Sequence, residues 1–319
     1  MAIDAKTNPD VAARAAWLHF VGGLTQGEVA RHLNVTNTRA HRLIARAQAD
    51  GLVQIFVDVE ATECVMLERQ LMERFGLNFC RVAMEIPESG PMPLRSLATV
   101  GAQYLMEVSG GSRHRTIGLG NGRTLTASVN AMGRDPVVGK QFVSVLGGLT
   151  RSFAANPYDV IYRLAQKTGA EAHLLPAPLY ANTAGDKAVM MKQFGIADTM
   201  SLIDEASLVV LGVGSLDPDS GSIIDTAIDD ANRARKLRES GAVAELLGQF
   251  FDIDGQPIET EFDQRVMAPP IDSLKGREVT AIAGGANKVK AITAALKNGH
   301  LTGLLTDEVT AKALVEDHQ

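Results

Sequence analysis

Hydrophobic positions along this chain change their period near residue 60. Before that point they recur at helical spacing. From Thr25 to Ala47 the chain reads TQGEVARHLNVTNTRAHRLIARA. Thr25 followed three residues later by Glu28 is a capping box, and Val29, Ala30 and Leu33 then share a face. Asn34 stands where a tight turn needs left-handed backbone, Val35 plugs the turn and Thr36 caps a second helix. On that helix Ala40, Leu43, Ile44 and Ala47 form one apolar stripe. Ala13, Ala16, Trp17 and Phe20 predict a preceding helix that supplies a third wall. Gly51 ends the second helix, and Leu52–Val57 reads as a β-strand, the wing of a winged helix-turn-helix.

After residue 76 short apolar runs alternate with helical ones. Phe79–Met84, Thr116–Leu119, Gln141–Leu146, Glu171–Leu175, Leu208–Val213, Val279–Ala283 and Thr302–Thr306 read as strands. Leu94–Val108, Thr124–Met132, Pro157–Thr168, Asp225–Ser240, Lys288–Lys297 and Asp307–Val315 read as helices. The alternation predicts an α/β body with a mainly parallel sheet. Residues 245–267 interrupt it and read as a β-hairpin insertion turning at Asp254-Gly255. Between the two parts, Val65, Leu67, Leu71, Met72 and Phe75 predict a connector helix stopped by Gly76. Its stripe has no sustained heptads, which favours packing on the body over pairing with another subunit. The expected organisation is 1–57 helix-turn-helix, 58–76 connector and 77–319 body.

The polar face of the second helix carries Asn37, Thr38, Arg39, His41, Arg42 and Arg46. With the cap residue Thr36, these form the candidate contacts to base edges and phosphates of double-stranded DNA. Arginines on a helix are often only a solvated face; cap, turn and stripe in register favour the DNA reading. Charge agrees modestly: residues 1–57 hold six Lys/Arg against four Asp/Glu, the rest twenty-five against thirty-three. So weak a basic bias calls for a dimer and a good operator site.

Length allows about two domains with a substantial core. No apolar run approaches a membrane span, and MAIDAKTNPD lacks a signal-peptide core. Cys64 and Cys80 have no metal spacing and read as buried hydrophobes in a reducing cytoplasm. No metal and no cofactor is expected. Asp252 and Asp254 lack the later ligands of a calcium loop.

Glycine-rich turns follow four of the strands: Gly118-Leu119-Gly120-Asn121-Gly122-Arg123-Thr124, Gly147-Gly148-Leu149-Thr150, Gly212-Val213-Gly214-Ser215 and Gly284-Gly285-Ala286-Asn287-Lys288. Such loops converge on the carboxyl rim of a parallel sheet and offer backbone N–H groups to a small anionic or polyhydroxylated ligand. The first turn alternates glycines as GxGxG and is no dinucleotide fingerprint.

These stretches, with LLPAPLY, GAVAELLGQFFDIDGQPI and the tail from Ala283, resemble the SorC family of sugar-responsive bacterial transcription regulators (DeoR type). The resemblance covers nearly the whole chain. It implies a Rossmann-like body similar to sugar-phosphate isomerases and CoA transferases, and an oligomeric repressor or activator whose DNA affinity follows a bound sugar or sugar phosphate. It implies that the DNA-reading helix is Asn37–Arg46. It implies an effector site at Gly120, Asn121, Gly122, Arg123, Thr124, Arg265 and Lys288; Gly148 joins them from the third strand's turn. Two departures stand out. Leu146 precedes Gly147-Gly148 where phosphosugar-binding members often carry a base, and the nearest base is Arg151, so a plain polyol or sugar stays open beside a phosphate. Asn34 replaces the usual turn glycine. Simpler roles also remain open: Lys288 as a solvated helix-start lysine, Arg265 paired with Asp263 or another carboxylate, Asp307 as a helix cap, Asn156-Pro157 as a helix start. The competing class is an isomerase or transferase carrying the helix-turn-helix, with Asp225 or Asp307 as general base. A third is a helix-turn-helix used only for protein contact. The regulator, not the enzyme, is the expectation.

Overall fold

The computed structural model describes residues 9–53, 62–88, 90, 92–148, 160–220 and 231–316. The chain divides into two compact units whose main boundary falls between residues 59 and 60.

In the first unit α1 (Pro9–Ala16) runs on into a π-helical turn, Trp17–Val21, and is followed by α2 (Gln26–His32) and α3 (Asn37–Ala49). The caps are those the sequence predicts. Thr25 Oγ1 accepts from the Glu28 N–H, and Glu28 Oε2 accepts from the Thr25 N–H at 2.8 Å. Thr36 Oγ1 accepts from the Arg39 N–H at 3.3 Å. Asn34 has φ 53°, and the Val35 N–H closes the turn on the Ala30 carbonyl at 2.9 Å. The stripe of α3 meets Val29 and Ala30 of α2 in one core.

The helix before it departs from expectation. Its buried residues are Ala12, Ala15, Ala16 and Leu18, whereas Trp17 is 60% and Phe20 37% exposed. Alanines let α1 approach α3 closely. Trp17 falls about 140° round the helix from Ala12, off the buried alanine stripe. The expected wing strand falls largely on residues 54–57, outside the described residues.

The second unit begins with α4 (Thr62–Phe75), which packs its Cys64, Leu67 and Leu71 with Cys80 and Val82 of β1 (Phe79–Ala83). The order continues α5 (Leu94–Gly110), β2 (Thr116–Leu119), α6 (Arg123–Ala131), β3 (Gln141–Ser144), α7 (Val160–Thr168), β4 (Glu171–His173), α8 (Ala184–Met190), α9 (Phe194–Glu205), β5 (Leu208–Leu211), β6 (Gly214–Ser215), α10 (Ala231–Glu239), β7 (Ala244–Leu246), β8 (Gln249–Phe251), β9 (Glu278–Ile282), α11 (Val289–Lys297), β10 (Gly303–Asp307) and α12 (Glu308–Glu316). Seven strands form one sheet in the order β1-β10-β9-β5-β2-β3-β4, every pair parallel. Helices cover both faces: alternate residues of β1 face α4, while Phe79 stacks on Tyr104 of α5 at 5.2 Å between centroids.

All seven sheet strands are those the sequence predicts. Two helices, α8 and α9, are additions; the Thr183 cap, whose Oγ1 accepts from the Asp186 N–H at 3.0 Å, was the available signal for α8. The insertion holds a hairpin turn at Leu247-Gly248, both at positive φ (53° and 77°), that the sequence did not predict, and the expected turn at Asp254-Gly255 is also present, with Phe251 bridged antiparallel to Pro257. A leucine in left-handed backbone is rare and gives no turn signal in sequence. Asp254-Gly255 makes a separate turn, in which Asp252 Oδ1 accepts from the Asp254 and Gln256 N–H groups.

Candidate functional site

From β2 the chain passes to β3 and β4 on one side, then returns so that β5 pairs on the other side of β2. The turns leaving β2 and β5 therefore diverge. A parallel sheet places its ligand crevice at such a reversal. Here a pocket of about 740 Å³, counted out to solvent, opens between Gly120–Thr124 after β2 and Leu211–Gly214 after β5.

Three features give that pocket its chemistry. First, the opening of α6 is unusually rich in free donors. Gly120 still belongs to the sheet, its N–H on the Val210 carbonyl at 2.8 Å, and the first amide of α6 to find a main-chain carbonyl is Thr126, on Gly122 at 2.9 Å. Among the described residues the amides of Asn121 through Leu125 have no main-chain acceptor. Gly122 sits at φ 145°, a conformation L side chains rarely adopt.

Second, two cations reach in and are tethered by carbonyls. Arg123 Nη2 donates to Ser220 O at 2.7 Å, and Lys288 Nζ donates to Val213 O at 2.8 Å. Burial, and then the Arg123 charge, bring the Lys288 amine down to about 8, with Glu245 acting the other way.

Third, a carboxylate faces them. Glu245 of β7 lines the pocket, and its Oε1 accepts from the Gly248 N–H. Gly214, opposite it in the β6–β7 pairing, is required, since a Cβ there would lie 2.2 Å from Glu245 Oε2. Burial raises the Glu245 carboxyl, while the Gly248 N–H and Lys288 lower it. Met92, Leu146, Leu179, Tyr180 and Leu247 complete the wall, with Tyr180 Oη donating to Gly248 O at 3.0 Å.

Of the residues expected at the effector site, Gly120, Asn121, Gly122, Arg123, Thr124 and Lys288 meet here. Gly148 and Arg265 are not among the lining residues. Gly147 and Gly148 lie against the Ala177–Leu179 segment: Gly148 N–H donates to Ala177 O, and a Cβ on Gly147 would stand 2.2 Å from Pro178 O. That glycine pair serves backbone packing. Arg265 Nε donates to Ala181 O at 2.8 Å, its Nη1 pairs with Glu261 at 3.2 Å, and its guanidinium lies over Phe262. Arg265 thus braces the wall behind Tyr180, whose ring packs on Phe262 at 5.0 Å. Sequence reasoning did not single out Glu245, Tyr180, Leu247 or Met92. A single acid in the apolar run Ala242–Leu247 was the one available signal for Glu245.

The polar face of α3 stands clear of its core. Asn37, Thr38, Arg39, His41, Arg42 and Arg46 are exposed, and Arg46 Nε is held by Asp50 at 3.2 Å. Thr36 spends its side-chain oxygen on the cap.

For the enzymatic alternative, Asp225 and Asn156-Pro157 lie outside the described residues. Asp307 is only 3% exposed, and its carboxylate accepts from the Thr310 N–H, the Thr310 hydroxyl and the Gly285 N–H. It caps α12 and is spent on that work. Among the described residues no cluster of His, Cys, Asp and Glu suits a metal ion, and no helix is long and apolar enough to cross a membrane.

A helix-turn-helix unit followed by a parallel α/β body with a polar pocket at its switch point defines the class of ligand-responsive transcription regulators. A family described as "Putative sugar-binding domain" matches residues 59–316. The chain is 42% identical over 311 residues to the erythritol catabolism regulatory protein EryD of Brucella abortus (strain 2308), covering 98% of each chain. It is 28% identical over 312 residues to the transcriptional regulator LsrR of Klebsiella pneumoniae, covering 96% of this chain and 93% of that one. The full-length sorbitol operon regulator SorC of Klebsiella pneumoniae shares its fold, with TM-score 0.71 over 97% of this chain and 99% of that one at 24% identity. The chain belongs to the SorC family of transcription regulators that carry a sugar-binding domain.

Proposed function

We propose that this chain binds an operator through α3 and that a small polyol, sugar or sugar phosphate in the switch-point pocket sets its affinity for that operator. Residues 1–57 serve as the reading head, 58–76 as connector and 77–319 as effector body. Arg39, Arg42 and their neighbours face base edges and phosphates in the major groove. A homo-oligomer in the cytoplasm presents two heads to two half-sites about one helical turn, or a multiple of it, apart. The effector favours one arrangement of subunits, so its leverage equals its differential affinity, about 1–3 kcal/mol in typical cases.

The observation that carries this reading is the pairing in one pocket of unspent donors with a buried acceptor. The amides of Asn121–Leu125, Arg123 and Lys288 offer hydrogens to a phosphate or to hydroxyl lone pairs. Glu245 accepts hydrogens from hydroxyl groups. A polyhydroxylated molecule satisfies both sides at once, with or without a phosphate. The 42% identical relative is named for erythritol, which makes four-carbon polyols the first to test. The chain is read as a regulator without turnover because its named relatives are transcription regulators.

The test is a thermal-shift screen of erythritol, other polyols, sugars and their phosphates, followed by operator binding with and without each hit. A specific ligand raises the melting temperature by mass action and changes operator affinity. Both effects disappear in Lys288→Met and Glu245→Gln variants. The reading is overturned if nothing in the panel binds, if binding survives both substitutions, or if any sugar is converted.

A further inference from the structure

The turn that presents Lys288 to the pocket is held by α12. Gly285 N–H donates to Thr310 Oγ1 at 2.8 Å and to Asp307 Oδ2 at 3.3 Å. Asp307 in turn accepts from Thr310 N–H at 3.0 Å and Thr310 Oγ1 at 2.6 Å. The approach is close, since a Cβ on Gly284 would lie 2.1 Å from Asp307 Oδ2. The Lys288 turn and the first turn of α12 are therefore held together directly.

The connection that leaves β1 is tied to the same helix, with the Glu85 N–H donating to Glu308 Oε2 at 3.1 Å. Glu308 is the next residue after Asp307. Its other oxygen takes Lys312 Nζ at 2.8 Å, and the same ammonium reaches Glu63 Oε1, in the first turn of α4, at 2.8 Å. At the far end of the two helices Arg74 Nη1 donates to Val315 O at 2.7 Å. α4 is the first described element after the boundary at residue 59.

We propose that α12 relays the state of the pocket to α4, with Lys312 as the positioning residue that ties the two helices together. The proposal rests on reading the pocket as the effector site. An effector that pulls on Lys288 moves the first turn of α12 through the Gly285–Asp307–Thr310 bonds. Lys312 carries that displacement to the start of α4, the helix that follows the reading head in sequence. Lys312 is 41% exposed, and of its two partners Glu63 is 65% exposed while Glu308 is only 16% exposed. An exposed pair such as Lys312–Glu63, the one that joins the two helices, adds little to stability. A role in coupling and a role in stability are thus separable at this residue.

The experiment uses the full chain, an operator duplex, and erythritol and erythritol phosphate as probes. Probe affinity is measured by calorimetry, operator affinity by fluorescence anisotropy with and without probe, and folding by melting temperature. In Lys312→Met, probe affinity and probe-free operator affinity stay within about threefold of wild type, since the lost link to α4 is the exposed Glu63 pair. The ratio of operator affinities with and without probe falls at least about threefold below the wild-type ratio. Lys312→Arg, which keeps both ion pairs, restores it. An unchanged ratio in Lys312→Met overturns the relay, as does a ratio lost only in proportion to lost probe binding. If wild type responds to neither probe, the reading of the pocket falls and the relay with it. If wild type responds and Lys312→Met responds equally, the relay alone falls.

Discussion

Replacing Lys288 by Met should make the empty protein more stable and its pocket useless. The wild-type ammonium is held against burial and against Arg123, which bring its pKa from 10.5 to about 8. That interval corresponds to a penalty of about 3 kcal/mol for the charged amine in the folded chain. The penalty is fully present below about pH 8, where folded and unfolded chains both carry the proton. Between pH 8 and the unfolded value this amine holds more protons in the unfolded chain than in the folded one, so its contribution to stability rises with pH across that window. Methionine keeps the apolar stem and removes the charge. It also gives up the hydrogen bond from Nζ to Val213 O, worth about 1 kcal/mol. The net gain at pH 7 is about 2 kcal/mol, or roughly 4 °C or more in melting temperature. Differential scanning calorimetry from pH 6 to 10 checks this: Lys288→Met starts higher, and its lead over wild type shrinks above pH 8, on top of the fall that the raised Cys80 thiol imposes on both chains above about pH 9. A bound anion reverses the balance, so binding to wild type near pH 8 takes up a proton and its heat depends on the buffer. Melting of Lys288→Met several degrees below wild type at pH 7, or a lead that stays constant above pH 8, would refute the reasoning.

Arg39→Ala with Arg42→Ala should abolish operator binding and leave probe-induced melting shifts intact; each phosphate contact removed also lowers the slope of log affinity against log salt by about 1, which a titration from 50 to 200 mM salt measures. Asn34→Gly should be neutral or slightly stabilising, whereas Asn34→Ala costs about 1 kcal/mol because alanine must adopt φ 53°; denaturant titration separates the two. Gly147→Ala forces a Cβ into Pro178 O and should cost about 2 kcal/mol while sparing effector affinity in the folded fraction. Gly122→Ala, at φ 145°, should show the opposite balance, with effector affinity lost more than stability; calorimetry beside melting curves tells these glycines apart.

The reading head was legible in the chain because its signals are local. A cap, a left-handed turn residue and a stripe at spacings of three and four lie within 23 residues, and each acts on its immediate neighbours. The misplacement of Trp17 and Phe20 has a local cause too, since the stripe buried there is made of small residues, Ala12, Ala15 and Ala16. The inner strands were likewise visible as apolar runs, because a strand buried on both faces needs little more than β-branched and aliphatic residues, whereas the edge strand β4 is exposed or half-buried along its length. Leu247 shows the opposite case. A turn held by Gly248 N–H on Glu245 and by Tyr180 on Gly248 O places a leucine where sequence favours asparagine or glycine.

What the sequence determined by itself was the kind of elements, their order, and a set of glycine turns at strand ends. Which of those turns line the pocket was decided by strand order, which no local pattern encodes. The placement of β5 beside β2 opened the turns at Gly120–Gly122 and Gly212–Gly214 to a shared pocket. The same sheet packed Gly147 against Pro178 and Gly284 against Asp307, so those glycines serve the protein's own backbone. Arg265 was drawn to Ala181 and Glu261, and Glu245, from a hairpin far along the chain, took the place facing Lys288. Periodicity and capping are properties of neighbouring residues, whereas a pocket at a reversal of strand order is made by contacts between residues many tens of positions apart, and only the folded sheet brings them together.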